Sequence, residues 1–231
     1  MIDPIALARR MKRMAKRRVG LGPFRSVHPV ANDFGYGRGT PIDRIYIERF
    51  LDEHRHLISG TTLEVGDDAY TARFGGACAT RRETIHVDLA SSTATYRGDM
   101  TQAGVLPKGR FDCAVITQTL HLIYDMRLAV QQLRQSLAPA GTLLLTVPGI
   151  SPIAADQWGE GWYWSLTPLS LARLLGDEFG HDNIRIQSYG NAFAATAFLQ
   201  GIAVEDVGSH MLEHHDARFP VIVAAAATWQ P

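Results

Sequence analysis

Two apolar stretches of the sequence each end in residues that could bind a nucleotide. The first, residues 62–65, is followed by Gly66 and an acidic turn, and the second, residues 84–87, is followed by Asp88. A glycine at the end of a strand lets the backbone approach a ligand, and a carboxylate after the next strand accepts hydrogen bonds from ribose hydroxyls. This order is typical of a nucleotide-binding α/β unit.

Groups suited to proton transfer and to stacking follow later in the chain. His121 comes just after a predicted buried strand and is the best-placed general base, because an imidazole titrates near neutral pH. Asp156 is a second candidate. Trp158, Trp162 and Trp164 could stack on a sugar or a planar ring. Two plainer interpretations stay open: His121 packs on a loop at a helix N-terminus, and the tryptophans form a local hydrophobic plug.

Alternating strands and helices must position these groups. Strands are predicted at residues 62–65, 84–87, 94–96, 111–117, 142–147, 183–188 and 221–226, and helices over residues 41–57, 126–137 and 167–175. Thr40 is predicted to cap the first helix, with Pro41 at its first position. The alternation predicts an α/β fold, a Rossmann-like doubly wound sheet of seven mostly parallel strands.

The composition describes one globular domain with an unusual N-terminus. The 231 residues carry no formal net charge and are 46% hydrophobic, enough for one substantial core. Residues 1–18 hold seven Lys and Arg residues against one acid. They predict a basic amphipathic helix, which with an arm forms residues 1–40, ahead of an α/β domain at 41–231. Such a helix lies on an anionic membrane, docks on a partner or is merely solvated.

Several function classes are disfavoured by the sequence. Apolar runs are too short to span a membrane and the N-terminus lacks a secretory signal core, which favours a cytoplasmic protein, peripheral to a membrane at most. The basic residues have no interleaved aromatics and the rest of the chain is acidic, which argues against nucleic-acid binding. His214 and His215 are adjacent and cannot face one way on a regular element, so no metal site is predicted.

Taken together, these stretches resemble the class I S-adenosylmethionine-dependent methyltransferases. The shared pattern is a strand with acid and glycine at residues 63–66, the strand before Asp88, a Gly-Asp loop at 98–100, the strand at 111–117 and a Leu-x-Pro-x-Gly turn at 137–141. More narrowly, the chain is similar to bacterial methyltransferases found beside or fused to glycosyltransferases. The stretches that carry this similarity are RGTPIDR, EVGDDAYTARFG, TQTLHLIYD, TVPGISPI, the Trp-rich segment and AATAFLQG.

The resemblance implies S-adenosylmethionine as cofactor and a role for each matching position. The implied cofactor-binding residues are Glu64, Gly66, Asp67, Asp68, Asp88, Leu89, Asp99, Met100, Gln118 and Thr119. Gly66 would lie against the methionine part, Asp88 would bind the ribose and Asp99 the adenine amino group. The implied acceptor-binding residues are Trp158, Trp162, Trp164 and His215.

The glycine turn departs from the family pattern. Asp68 and Tyr70 stand where the second and third glycines are usual, so the backbone cannot approach a ligand as closely there. Asp67 and Asp68 could instead meet the ammonium or sulfonium charge of the cofactor, and they would repel a phosphate. The alternative is that both residues cap the following helix.

The resemblance therefore implies a methyltransferase that acts on a small molecule or glycan, at a hydroxyl of a sugar or secondary metabolite. Its expected partners are the acceptor and a glycosyltransferase, and homodimer formation stays open. The competing hypothesis is a non-catalytic subunit that binds or supports a glycosyltransferase.

Overall fold

The computed structural model describes Gly22 and residues 26–230, so the predicted basic helix at residues 1–18 lies outside the described part. Seven strands form one sheet. They are β1 (Thr61–Val65), β2 (Arg81–His86), β3 (Tyr96–Arg97), β4 (Phe111–Thr117), β5 (Leu137–Pro148), β6 (Ile184–Tyr189) and β7 (Ile222–Thr228).

The order of the strands is β3-β2-β1-β4-β5-β7-β6. The strands from β3 to β5 pair in parallel, whereas β7 runs antiparallel to both β5 and β6. The chain reverses its direction of progress across the sheet between β1 and β4, which is where ligands bind in open sheets of this kind. The predicted doubly wound, seven-stranded, mostly parallel sheet is confirmed.

Helices cover both faces of the sheet. They are α1 (Ile42–Glu53), α2 (Met126–Ser136), α3 (Pro168–Phe179), α4 (Ala192–Leu199) and the short α5 (His210–Glu213). One apolar core lies between the sheet and α2 and α3, where Leu133 and Leu171 are fully buried. A second core lies on the opposite face, where Phe50 of α1 and Phe198 of α4 pack against the strands.

The predicted start of α1 was wrong by one residue and in its cap. Helix α1 begins at Ile42, and Pro41 occupies the N-cap position without a side-chain hydrogen bond. The hydroxyl of Thr40 donates instead to the carboxylate of Glu205 at 2.7 Å. A tertiary partner has therefore replaced the local cap. The helix ends at Glu53, ahead of a short 3-10 turn.

Strand β5 begins earlier than predicted. Leu137 already pairs with Phe111, and after a register shift Thr142 pairs with Cys113. Ala140 has a positive φ of 64° between these two pairs. The residues predicted as a turn thus form an irregular first part of the strand. The prediction failed because an irregular strand and a turn share the same Pro and Gly signals.

An arm ahead of α1 is fixed to the chain that follows α4. Arg38 forms a bidentate ion pair with Asp206, with N–O distances of 2.7 and 2.8 Å. The backbone N–H of Thr40 donates to the carboxylate of Glu205 at 2.7 Å. The N–H groups of Val30 and Ala31 donate to the carbonyl of Gln200. These contacts hold the arm across the carboxyl ends of the strands. No helix within the described residues is long and apolar enough to cross a membrane.

Candidate active site

A cavity of about 930 Å³ lies where β1, β2 and β4 end. Its floor includes Gly66 after β1, His86 at the end of β2 and Gln118 after β4. The arm contributes Phe34 and Tyr36, and the segment after β5 closes another side. The predicted site residues that line this cavity are Gly66, Asp99, Met100, Gln118, Thr119, His121, Asp156, Trp158 and Trp162.

Gly66 opens the turn after β1 toward the cavity. Its φ is +84°, a conformation that side chains other than glycine rarely adopt, and a Cβ there would meet no atom within 4 Å. The buried carboxylate of Glu64 holds the turn from behind, accepting from the N–H groups of Tyr70 at 3.1 Å and Thr71 at 2.8 Å. Burial raises the pKa of Glu64 to about 7.

The two carboxylates of this turn face other partners. Asp67 accepts from the backbone N–H of Ala69 at 3.0 Å, and Asp68 pairs with Arg82 at 2.7 Å. Neither residue lines the cavity. A short π-type turn follows at Thr71–Gly75, and the carbonyl of Asp68 accepts from the N–H of Ala72. The carboxylate of Asp67 therefore contacts the start of the following turn, whereas that of Asp68 is engaged by Arg82 and caps no helix among the described residues.

The acid after β3, Asp99, lines the cavity, whereas the acid after β2, Asp88, does not. Asp88 is exposed and accepts from the N–H of Ala90 at 2.8 Å, while its own N–H donates to the imidazole of His86. Asp88 and Leu89 lie outside the lining, although Val87 is part of it. Asp99 and the buried Met100 both line the cavity, which brings an acceptor of hydrogen bonds beside an apolar surface.

Gln118 is held in an unusual conformation at the end of β4. Its φ is +45°, and its backbone N–H donates to Thr146 on β5 at 2.9 Å. Its buried side-chain nitrogen, Nε2, has no hydrogen-bond partner among the described residues. A strained backbone beside an unsatisfied donor is typical of a site that binds a ligand. Thr119 follows it in the cavity wall.

His121 is buried in the cavity wall beneath an aromatic cover. The ring of Trp162 lies 4.3 Å from the imidazole and is itself stacked on Phe34 of the arm. The Nδ1 atom of His121 has no partner among the described residues. Burial lowers the pKa of His121 from 6.5 to about 4, so the imidazole is neutral near pH 7 and a weaker base than was expected from the sequence.

The remaining predicted residues are divided between the cavity rim and positions outside the lining. Asp156 and Trp158 are exposed at the cavity rim, and Asp156 accepts from the backbone N–H of Trp158 at 3.0 Å. Trp164 lies outside the lining and donates to the carbonyl of Ile123. His215 also lies outside it, hydrogen-bonded to the hydroxyl of Ser188. Among the described residues, no cluster of three or more His, Cys, Asp or Glu side chains could hold a metal ion.

Sequence reasoning missed a polar side of the cavity. Asp43 and Arg44, at the start of α1, line it together with Asp33 and Tyr36 of the arm. The RGTPIDR stretch that contains both charges was the available signal. Its place in the site could not be inferred because it depends on the way the arm and α1 fold over the strand ends.

Comparison with known proteins places this architecture in a family. A family model described as a methyltransferase domain matches residues 8–176. The chain belongs to this methyltransferase family. None of the curated proteins compared with the chain matches it.

Solved structures agree with the methyltransferase fold. An S-adenosylmethionine-dependent methyltransferase from Archaeoglobus fulgidus has a TM-score of 0.54 at 10% identity, over 80% of this chain and 94% of that one. An S-adenosylmethionine-dependent methyltransferase from Mesorhizobium loti has a TM-score of 0.51 at 13% identity, over 81% of this chain and 97% of that one. The [4+2]-cyclase SpnF has a TM-score of 0.51 at 17% identity, over 89% of this chain and 88% of that one. The class I methyltransferase fold is therefore confirmed.

The predicted cofactor, S-adenosylmethionine, agrees with the family and with this cavity. The space above Gly66 is open, and the buried atoms Gln118 Nε2 and Asp43 Oδ1 lack partners among the described residues. Buried polar atoms without partners are rare and costly, so a ligand is expected to satisfy them. The residues present therefore fit a ligand that combines an apolar ring with polar and charged groups.

Proposed function

We propose that this methyltransferase transfers a methyl group from S-adenosylmethionine to a hydroxyl of a small-molecule or glycan acceptor. The observation that carries the proposal is His121, a neutral imidazole with a partnerless Nδ1 in the wall of the cavity. Transfer to oxygen releases the hydroxyl proton, and the unprotonated imidazole in the cavity wall is the group that we propose to receive it.

The cofactor site we propose follows the strand ends. Gly66, Gln118 and Thr119 line the part of the cavity between β1 and β4, and Asp99 with Met100 lines the part beyond β2. Glu64 contributes from behind by fixing the turn. Asp88 and Leu89 follow the lining residue Val87 and are proposed to reach the ribose when the ligand is in place. Asp67 and Asp68 are proposed to shape the turn.

His121 and the aromatic cover would act together in the reaction. When bound, the cofactor supplies an electrophilic methyl group, and most of the catalysis is then the positioning of two reactants. Trp162 packs on His121 and Phe34, which excludes water from the imidazole. Asp156, exposed at the rim, is the second candidate base and would suit an acceptor that enters from that side.

The acceptor is proposed to be a sugar or a secondary metabolite. Trp158 and Trp162 at the cavity offer aromatic faces that stack on sugar rings and planar rings. Trp164 and His215 lie outside the lining and would contact only a larger acceptor. The similarity to methyltransferases found beside glycosyltransferases supports a role in polysaccharide or secondary-metabolite biosynthesis, with a glycosyltransferase as a partner.

A second candidate function is a non-catalytic subunit that supports a glycosyltransferase. The altered turn favours it, because Asp68 and Tyr70 replace two glycines and Asp68 is engaged by Arg82. SpnF, described as a [4+2]-cyclase, shares the fold, so the fold alone does not determine the reaction.

The two functions are separated by a transfer assay. Wild-type protein and the His121→Asn variant would be incubated with methyl-labelled S-adenosylmethionine and panels of sugars, nucleotide sugars and phenolic metabolites. Label in an acceptor with the wild type, reduced in the variant, supports the proposed enzyme. Cofactor binding without transfer to any acceptor, in the presence and absence of the partner glycosyltransferase, would favour the non-catalytic subunit.

A further inference from the structure

Two neighbouring side chains of opposite charge at the start of α1 line the cavity without a direct ion pair. Neither Asp43 nor Arg44 takes part in an ion pair within the described residues. Both belong to the polar side of the cavity that sequence reasoning missed. Charges withdrawn from water are costly unless they are paired, so this arrangement calls for a ligand that carries charges of its own.

The side-chain hydrogen bonds of Arg44 go to neutral groups. Its Nε donates to the hydroxyl of Tyr36 at 2.8 Å, and its Nη1 donates to the hydroxyl of Tyr70 at 2.9 Å. Its guanidinium carbon also lies 5.9 Å from the centroid of the Tyr36 ring. A guanidinium has five N–H donors, so those beyond these two contacts are available to an anionic group.

Asp43 presents an unsatisfied acceptor beside this guanidinium. Its Oδ1 is buried and has no hydrogen-bond partner among the described residues. Burial raises the pKa of the Asp43 carboxyl above its ordinary value. Its place in the first turn of α1 favours a negative charge, but that effect leaves Oδ1 without a donor.

Tyr70 connects this pair to the turn after β1. Its backbone N–H is held by Glu64, and its hydroxyl accepts from Arg44. Tyr70 stands four residues after Gly66, where the resemblance places the third glycine of the turn. The residue that departs from the glycine pattern is therefore the one that fixes the guanidinium near the turn.

We propose that Asp43 and Arg44 bind the amino-acid end of S-adenosylmethionine, with Asp43 facing the ammonium group, Arg44 facing the carboxylate and Tyr70 acting as a positioning residue. The inference rests on the proposed function. The amino-acid end of the cofactor is a zwitterion, with an ammonium group and a carboxylate on the same carbon. Asp43 and Arg44 offer a partner of opposite charge to each group. Side chains of α1 thus provide contacts that the altered turn no longer offers through closely approaching backbone.

The test compares two ligands that differ only at that end. S-Adenosylhomocysteine keeps the amino acid, whereas methylthioadenosine lacks it and keeps the nucleoside and sulfur. Calorimetric titration of the full chain would be run with Arg44→Gln, Asp43→Asn and Tyr70→Phe. The control is Arg55→Gln, which removes an exposed arginine beyond the end of α1 whose one ion pair is at 3.6 Å.

The affinity of Arg44→Gln and of Asp43→Asn for S-adenosylhomocysteine is expected to fall about 10- to 100-fold, because a hydrogen bond between charged groups is lost. A smaller loss is expected for Tyr70→Phe, and methylthioadenosine should bind all variants as it binds the wild type. Unchanged binding of S-adenosylhomocysteine, or an equal loss of both ligands, would overturn the inference. Failure of the wild type to bind S-adenosylhomocysteine would instead overturn the proposed function.

Discussion

The imidazole of His121 and the indole of Trp162 lie with their ring centroids 4.3 Å apart and their planes inclined by 59°. The first belongs to the turn after β4 and the second to the segment after β5, so the contact joins the floor of the cavity to its cover. It places a neutral base in a water-poor part of the site.

Replacement of His121 by asparagine is expected to lower kcat about 100-fold or more once an acceptor is known, because a positioned base contributes at least that much. Affinity for S-adenosylhomocysteine should stay within about threefold of wild type, because the proposed role of His121 is toward the acceptor and not the cofactor. Steady-state kinetics and calorimetry measure the two effects. The matched control is His56→Asn at an exposed position. Equal activity of His121→Asn and His56→Asn would remove His121 from the reaction.

Protonation of His121 should also affect stability. Its pKa is about 4 in the folded chain and 6.5 ordinarily, so the unfolded chain binds this proton more readily. The contribution of His121 to the free energy of unfolding is fully present above about pH 6.5 and is lost as the pH falls through 4. Between pH 7 and pH 5 the loss is about 2 kcal/mol. Urea unfolding at both pH values measures it, and the His121→Asn variant should lack this component. An identical pH dependence in the variant would contradict the buried neutral imidazole.

The ion pair between Arg38 and Asp206 should keep the arm over the cavity. We expect Arg38→Ala to speed hydrogen exchange at the N–H groups of Arg38, Gly39 and Thr40, with a change in global stability of only about 1 kcal/mol, because the pair is partly exposed. A suitable control is Arg173→Ala, which removes an exposed arginine of α3. The proposed restraint would be rejected if exchange in the arm were the same in both variants.

A buried carboxylate outside the lining of the cavity provides a contrast between stability and function. Glu83 of β2 is 3% exposed and accepts from Arg110, Arg81 and Tyr96, which holds its pKa at about 2. Glu83→Gln should reduce the free energy of unfolding by about 3 kcal/mol, since it leaves a buried network partly unpaired. Affinity for S-adenosylhomocysteine should not change, because Glu83 lies outside the lining. A selective loss of affinity without destabilisation would show that this network belongs to the site.

The sequence was sufficient for the sheet, because buried strands appear as short apolar runs and each one predicted here has a counterpart in the structure. It also located Gly66, Asp99, Gln118 and His121, which follow directly from the ends of those strands. Local signals of this kind depend on only a few neighbouring residues.

Features that depend on distant parts of the chain could not be predicted in the same way. The hydroxyl of Thr40 binds Glu205 rather than capping α1, and His215 meets Ser188 away from the cavity. The place of Arg44 in the site depends on Tyr70, which stands in the altered turn. In each case the partner is many residues away, and only the folded chain brings the two together.

Calorimetric titration of the purified protein with S-adenosylhomocysteine, beside the Asp99→Ala variant, tests the cofactor site most directly. We expect one binding site in the wild type, with an affinity weakened at least about tenfold in the variant. No heat of binding from a wild-type protein that is folded by circular dichroism would contradict the site and leave the non-catalytic subunit as the better account of this chain.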